Sequence, residues 1–130
     1  MKTIEVVAAI IEKDNKFLAT ERGYGDFKGF YEFPGGKIEP KESKEEALRR
    51  EIKEELNADI EIKNFLLTVE YDYSDFHLTM HCFICELRDN FRLLEHTNAK
   101  WLTKDTFNSV TWCPADIEVT EKLKIYSPNK

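Results

Sequence analysis

Glu51, Glu54 and Glu55 fall within the run Arg50-Glu51-Ile52-Lys53-Glu54-Glu55-Leu56. Positions three and four apart share one face of a helix, so Glu51 projects beside both of the other carboxylates if the run is helical. Like charges at that spacing cost about 0.2–0.5 kcal/mol per pair, and a cation between them removes the cost. Hard divalent ions take oxygen ligands, and Mg²⁺ binds through one or two carboxylates together with substrate phosphates. The chemistry open to such a cluster is attack of water on phosphorus, assisted by a metal ion. The competing reading is a charged, solvated helix face with no ligand.

The elements that must position these residues are legible around them. Ser43-Lys44-Glu45-Glu46 has the form of a capping box, with Ser43 as N-cap and Glu46 at the third helical position. Leu48, Ile52 and Leu56 follow at a spacing of four and form the buried stripe, and Asn57 suits the helix exit. Upstream, Ile4 to Ile11 is apolar and β-branched and reads as a buried strand, with Asp14-Asn15 as a turn into a second strand, Lys16 to Thr20. Gly23, Gly25 and Gly29 mark a loop, and Tyr31 to Phe33 reads as a short strand stopped by Pro34-Gly35-Gly36. Downstream, Ile60 to Tyr71 and Phe76 to Leu87 read as long strands around a turn at Asp72 to Asp75, and Phe91 to Leu94 and Ala99 to Leu102 as short ones. Pro114 opens a last helix to about Ile125. Strands, a helix, more strands and a helix predict an α/β (α+β) sandwich, a mixed sheet flanked by helices.

The whole chain narrows the function classes. Its 130 residues predict one domain over 1–130, and 42% hydrophobic with 34% charged residues is a globular composition. No apolar run reaches the roughly 18 residues that span a bilayer, so no membrane partner is expected. The apolar start looks briefly like a secretory signal, but Glu5 interrupts it and Glu12 closes it. A net charge of −6 disfavours a nucleic-acid polymer as partner, while bound metal would still admit a small anion. Three cysteines, Cys82, Cys85 and Cys113, suit a reducing, cytoplasmic compartment. Cys82 and Cys85 have the C-x-x-C form, but three residues apart on a strand they face opposite sides and read as buried free thiols. His77 and His81 share a strand face, lack a further ligand at zinc spacing, and read as half-exposed sheet residues.

The stretch Gly36-x5-Glu42-x7-Arg50-Glu51-Ile52-x-Glu54-Glu55-x-Asn57-Ala58 resembles the signature of Nudix hydrolases, G-x5-E-x7-R-E-U-x-E-E-x-G-U with U a bulky aliphatic residue. Every charged position matches; Asn57 stands for the usual Gly, and Ala58 is smaller than usual. Both departures lie at the helix exit, where Asn also adopts the left-handed conformation. Six fixed residues at about 7% background each coincide roughly once in 10⁷ positions, before correction for the glutamate-rich composition, which weighs against the solvated-face reading. Glu32-Phe33-Pro34-Gly35-Gly36-Lys37-Ile38-Glu39, Glu95-His96 before Trp101, and Pro114-Ala115-Asp116 extend the likeness to the MutT-like branch, the nucleoside triphosphate pyrophosphohydrolases.

The resemblance implies the Nudix fold and a loop–helix–loop site for Mg²⁺, with Mn²⁺ as a substitute. Glu51 and Glu55 would be the main metal ligands, with Glu54 nearby and the Gly35 carbonyl adding an oxygen. Arg50 would fix a carboxylate rotamer, Gly36 would let the backbone in close, and Glu42 would orient loop and helix. Glu54 and Glu95 are the candidate bases for the water proton, and Arg22 the candidate phosphate contact. Phe33 and Phe76 could wall the base, and Asp116 could accept from an exocyclic amine such as that of cytosine. Relatives specific for oxidised guanine carry Asn and Arg where this chain has Asp116 and Phe76, so CTP, dCTP or a modified cytosine nucleotide is the first expectation, cleaved to monophosphate and pyrophosphate by a monomer or homodimer. An 8-oxo-dGTP-type hydrolase, a hydrolase of another nucleoside diphosphate derivative, and a non-catalytic nucleotide-binding regulator are the alternatives.

Overall fold

A computed structural model describes residues 1–126. Among them the order is β1 (Lys2–Lys13), β2 (Lys16–Glu21), β3 (Tyr31–Glu32), β4 (Gly35–Lys37), α1 (Lys44–Leu56), β5 (Ile60–Asp72), β6 (Phe76–Leu87), β7 (Asn98–Leu102), a 3₁₀ turn at Phe107–Ser109, and α2 (Pro114–Ile125). The strands form one mixed sheet, ordered β3-β2-β1-β6-β5, with β4 also on β1 and β7 also on β2. Only β1 and β6 pair in parallel, from Lys2↔Phe76 to Ile11↔Cys85, while the other named strand pairs run antiparallel.

The continuous apolar run in β1 follows from burial on both faces, because neighbouring side chains point to opposite sides of a sheet. Val7, Ala9 and Ile11 face one cluster with Leu48, Ile52 and Leu56 of α1. Ala8 and Ile10 face the other with Val119 and Leu123 of α2. The sheet is thus sandwiched between the two helices, as the element order predicts. Cys82 and Cys85 divide between the same two clusters as free, buried thiols.

Local chemistry sets the turns. Asp14 and Asn15 both have positive φ, 53° and 63°, the backbone of a two-residue hairpin. Helix α1 starts with both bonds of its capping box: Glu46 N–H donates to Ser43 Oγ at 3.0 Å and Ser43 N–H to Glu46 Oε1 at 2.8 Å. Asn57 ends it in the left-handed region, φ 49° and ψ 42°.

Three expectations change. The strand at Tyr31 does end before Pro34, but Gly35 and Gly36 are not a loop: Gly35–Lys37 pairs with β1, Gly35 opposite Ala8. Glycine permits this, since a Cβ on Gly35 would collide with the Val7 carbonyl oxygen. Phe91 to Leu94 is not a strand. Its amides satisfy the end of α1 instead, Arg92 N–H donating to Leu56 O at 2.7 Å and Leu94 N–H to Glu55 O at 3.0 Å. His81 is buried rather than half-exposed, bonded to Thr68 Oγ1 at 2.8 Å and Glu5 Oε2 at 2.7 Å. His77 keeps the expected half-exposed place, between Asp72 and Glu70.

The close approach at β4 predicts that Gly35→Ala destabilises the fold by about 2–3 kcal/mol, against about 1 kcal/mol for the capping variant Ser43→Ala. Urea denaturation measures both, and equal losses would contradict the contact at Val7.

Candidate active site

Helix α1 presents a single arginine to a ring of oxygens. Arg50 grips Glu42 with two bonds, Nε to Oε2 at 2.6 Å and Nη2 to Oε1 at 2.9 Å. Its Nη1 reaches Glu51 Oε2 at 2.8 Å and Glu54 Oε2 at 3.0 Å, and Nη2 also donates to the Lys37 carbonyl at 2.9 Å. Glu42 in turn accepts from the Glu39 amide at 2.9 Å. The strand-to-helix loop, its acid and the helix are therefore tied at one guanidinium, whose planar fork suits such bidentate contact. Arg50 holds the Glu42 carboxyl below the usual carboxylate range.

Next to this network two acids lie on the inner side of the helix. Burial pushes the Glu51 carboxyl up despite Arg50. Its carboxylate packs on Gly36, where any Cβ would collide with it. Glu55 is 9% exposed, and its Oε1 is buried without a hydrogen-bond partner among the described residues. Burial above all, then the nearby charges of Glu51, Glu32 and Glu95, push its carboxyl up to about 9, while the Gly35 amide opposes the shift. An orphaned carboxylate oxygen beside a second buried carboxylate is the donor set that a hard cation satisfies.

Glu55 borders a cleft of about 680 Å³ whose lining also includes Gly35, Gly36, Glu32, Arg22 and Glu95 at this end. The other end is aromatic. Tyr73 stacks on Phe76 with ring centroids 5.1 Å apart and meets Phe27 at 5.7 Å. Asp116, in the first turn of α2, is 5% exposed and accepts from the Phe33 amide at 3.0 Å. Burial first, then Glu32, push its carboxyl up to about 8, against the Phe33 amide and Arg22. Ala115 N–H donates to the Tyr73 hydroxyl oxygen at 3.2 Å, which leaves that hydroxyl's proton free.

The structure brings Glu51, Glu55, Gly35 and Gly36 together, and Arg22, Glu95, Phe76 and Asp116 line the same cleft. Glu54 stays on the solvent side with Arg50, 53% exposed. Phe33 touches the cleft, but its ring is committed to the core, stacked on Trp112 at 4.8 Å. Two residues were not singled out in the sequence, Glu32 and His96, which are bonded to each other at 3.1 Å inside the cleft. Their motifs were visible, but a partner 64 positions away is a product of sheet pairing.

The model of the NUDIX domain matches residues 1–123. The chain belongs to the Nudix family. It is 35% identical to the CTP pyrophosphohydrolase of Escherichia coli K12 over 123 residues, covering 93% of this chain and 91% of that enzyme. The 8-oxo-dGTP diphosphatase of Proteus vulgaris is 38% identical over 85 residues, 64% of this chain and 76% of that one. The solution structure of the E. coli ORF135 protein superposes with a TM-score of 0.86 at 33% identity, covering all of this chain and 96% of that one. This Nudix hydrolase therefore has nucleotide pyrophosphohydrolases as relatives, and enzymes of the family generally use divalent cations. The acids around Gly36 fit such an ion. No helix among the described residues is long and apolar enough to cross a membrane.

An unpartnered buried acid costs stability when no cation is bound. Glu55→Gln should therefore raise the stability of the metal-free protein by about 1 kcal/mol or more, read as a higher urea midpoint in EDTA. A lower midpoint would mean that the carboxyl is already satisfied by the protein.

Proposed function

We propose that this Nudix hydrolase cleaves a cytosine nucleoside triphosphate, CTP, dCTP or a modified form, to the monophosphate and pyrophosphate with Mg²⁺, Mn²⁺ serving as a substitute. The observation that carries the metal-dependent part is the orphaned Oε1 of Glu55 beside Glu51 at one end of the cleft. Glu51, Glu55 and the Gly35 carbonyl would hold the ion, with Glu54 at the margin on Arg50. A bound divalent cation supplies neutralisation of the polyphosphate and acidifies water.

The chain's own residues supply the rest. Arg50 fixes the Glu51 rotamer, and Glu42 fixes Arg50, so the ligands are ordered before substrate arrives. Arg22, in the lining of the same cleft, binds phosphate oxygens. Glu95 is exposed on the loop before β7, lines the cleft and takes the proton from the attacking water. Glu54, the other candidate base, points to solvent and is held by Arg50. That difference in placement favours Glu95.

The base end supports cytosine by donor and acceptor count. Below its raised pKa Asp116 is a neutral acid, able to donate one proton and accept another. Cytosine presents a ring nitrogen acceptor beside its exocyclic amine, the complementary pair. The ring NH and amine of guanine are both donors and call for the ionised carboxylate. Phe76 and Tyr73 offer a stacked aromatic wall for the base.

Initial rates with CTP, dCTP, 5-methyl-dCTP, 8-oxo-dGTP and the common triphosphates, with products identified, test the assignment. Cytosine nucleotides are expected to lead, and a strong lead for 8-oxo-dGTP would sink the reading of Asp116 and Phe76. Glu51→Gln and Glu55→Gln should each lower kcat by about 100-fold or more, beyond the usual effect of residues behind the ligands; full activity in both would remove the metal assignment. The preference for cytosine over guanine nucleotides should also fall as pH rises through about 8, because Asp116 then ionises. Asp116→Asn, which keeps one donor and one acceptor at every pH, should flatten that profile.

A further inference from the structure

Two side chains that line the cleft, Arg22 and His96, are joined through a third. Glu32 on β3 uses one carboxylate oxygen to bind Arg22 Nη1 at 3.0 Å and the other to bind His96 Nε2 at 3.1 Å. A carboxylate can only accept, so His96 carries its proton on Nε2. The His96 side chain is 6% exposed, and its Nδ1 is buried without a partner among the described residues. Among the described residues no second hydrogen bond holds the ring, and its orientation depends on Glu32.

His96 is the neighbour of Glu95, and the segment they share is anchored on either side. Leu94 N–H donates to the Glu55 carbonyl of α1 at 3.0 Å, and Thr97 N–H to the Glu21 carbonyl of β2 at 3.1 Å. Gly23 packs so closely here that a Cβ would meet Thr97 Cγ2 at 2.9 Å and Glu95 O at 3.4 Å. Residues 95 and 96 are the short span between these anchors. The backbone bonds place the span, and the buried bond from His96 to Glu32 sets how it turns. Glu95 and Glu55 line the same cleft, and the backbone of Leu94 is bonded to that of Glu55.

We propose that Glu32 is a positioning residue for the reaction: through His96 it sets the placement of Glu95 in the cleft that Glu55 lines, and through Arg22 it sets the neighbouring phosphate contact. This rests on the reading of Glu95 as proton acceptor. A misplacement of about 1 Å at a reacting group costs on the order of 100-fold in rate, so a bond that adds little to stability can govern turnover.

A mutant cycle on kcat, with Mg²⁺ and the fastest triphosphate of the panel above, tests it. Glu95→Gln and His96→Leu should each lower kcat at least tenfold, and the double variant should be no slower than Glu95→Gln alone. His96→Gln, whose amide N–H can reach the place of Nε2, should recover most of the rate. His96→Leu should leave KM nearly unchanged, whereas Glu32→Gln should also raise KM, because Arg22 is released. A purely structural role would move melting temperature without this non-additivity. If the leucine variant does not fold, Glu32→Gln with Glu95→Gln closes the same cycle. Multiplicative losses in the double variant, with Glu95→Gln itself slow, overturn the proposal and leave the role of Glu95 standing. Wild-type kcat in Glu95→Gln overturns that role and the proposal together.

Discussion

The bonds of Arg50 are the constraint on which the site depends. Five oxygens, from Glu42, Glu51, Glu54 and the Lys37 carbonyl, lie within 2.6–3.0 Å of one guanidinium. A glutamate side chain on a helix is free at three torsions, and a metal ligand must have that freedom removed before the ion arrives. The arginine does this for Glu51, the proposed ligand, and ties the loop at Lys37 and Glu42 to the helix in the same stroke. Its charge also makes the crowding of acids tolerable in the metal-free fold. Lysine could not replace it, because a single ammonium cannot hold two carboxylates and a carbonyl in fixed directions at once.

Glu55 is the acid that the arginine does not reach among the described contacts, and it is the more deeply buried one. The two facts belong together. A carboxylate satisfied by Arg50 is stable but partly neutralised, whereas one that meets only the Gly35 amide keeps an oxygen for an outside cation. The sandwich can carry that cost because α1 is anchored elsewhere. Leu48, Ile52 and Leu56 are fully buried on the opposite stripe, and Ser43 and Asn57 close the two ends. Burial of those leucine and isoleucine side chains is worth about 1.5–3 kcal/mol each, enough to offset one unsatisfied oxygen at about 1–3 kcal/mol.

What was legible in the sequence was whatever depends on local spacing. The capping box, the stripe at every fourth residue, the Asp14-Asn15 turn and the proline at the start of α2 all follow from neighbours within one turn or one hairpin, and all are found. The misreadings share a different cause. Pro34-Gly35-Gly36 ends β3 as read, but Gly35 also opens a strand that the sequence does not announce, because it lets β4 approach Val7. Phe91 to Leu94 has strand-forming residues, but its amides meet the exposed carbonyls of a helix end rather than a strand. His81 looked half-exposed until Glu5, 76 positions earlier, came beside it on the paired strand. In each case the partner that decides is distant in sequence.

The same division runs through the cleft. Its metal end is built by one helix and the loop before it, so a short motif carries it and the motif is readable. Its base end is assembled from β3, the β5–β6 turn and the first turn of α2, and no compact motif spans them. Asp116 acquires its character only there: on the surface of α2 it would be an ordinary ionised acid at a helix N-terminus, favoured by the dipole. Buried against the Phe33 amide and near Glu32, its carboxyl is pushed up to about 8, so that its protonation sets which hydrogen bonds it can make. On the proposed reading, the chemistry at phosphorus can stay constant while the base that is read changes, because the two ends are held by different parts of the fold.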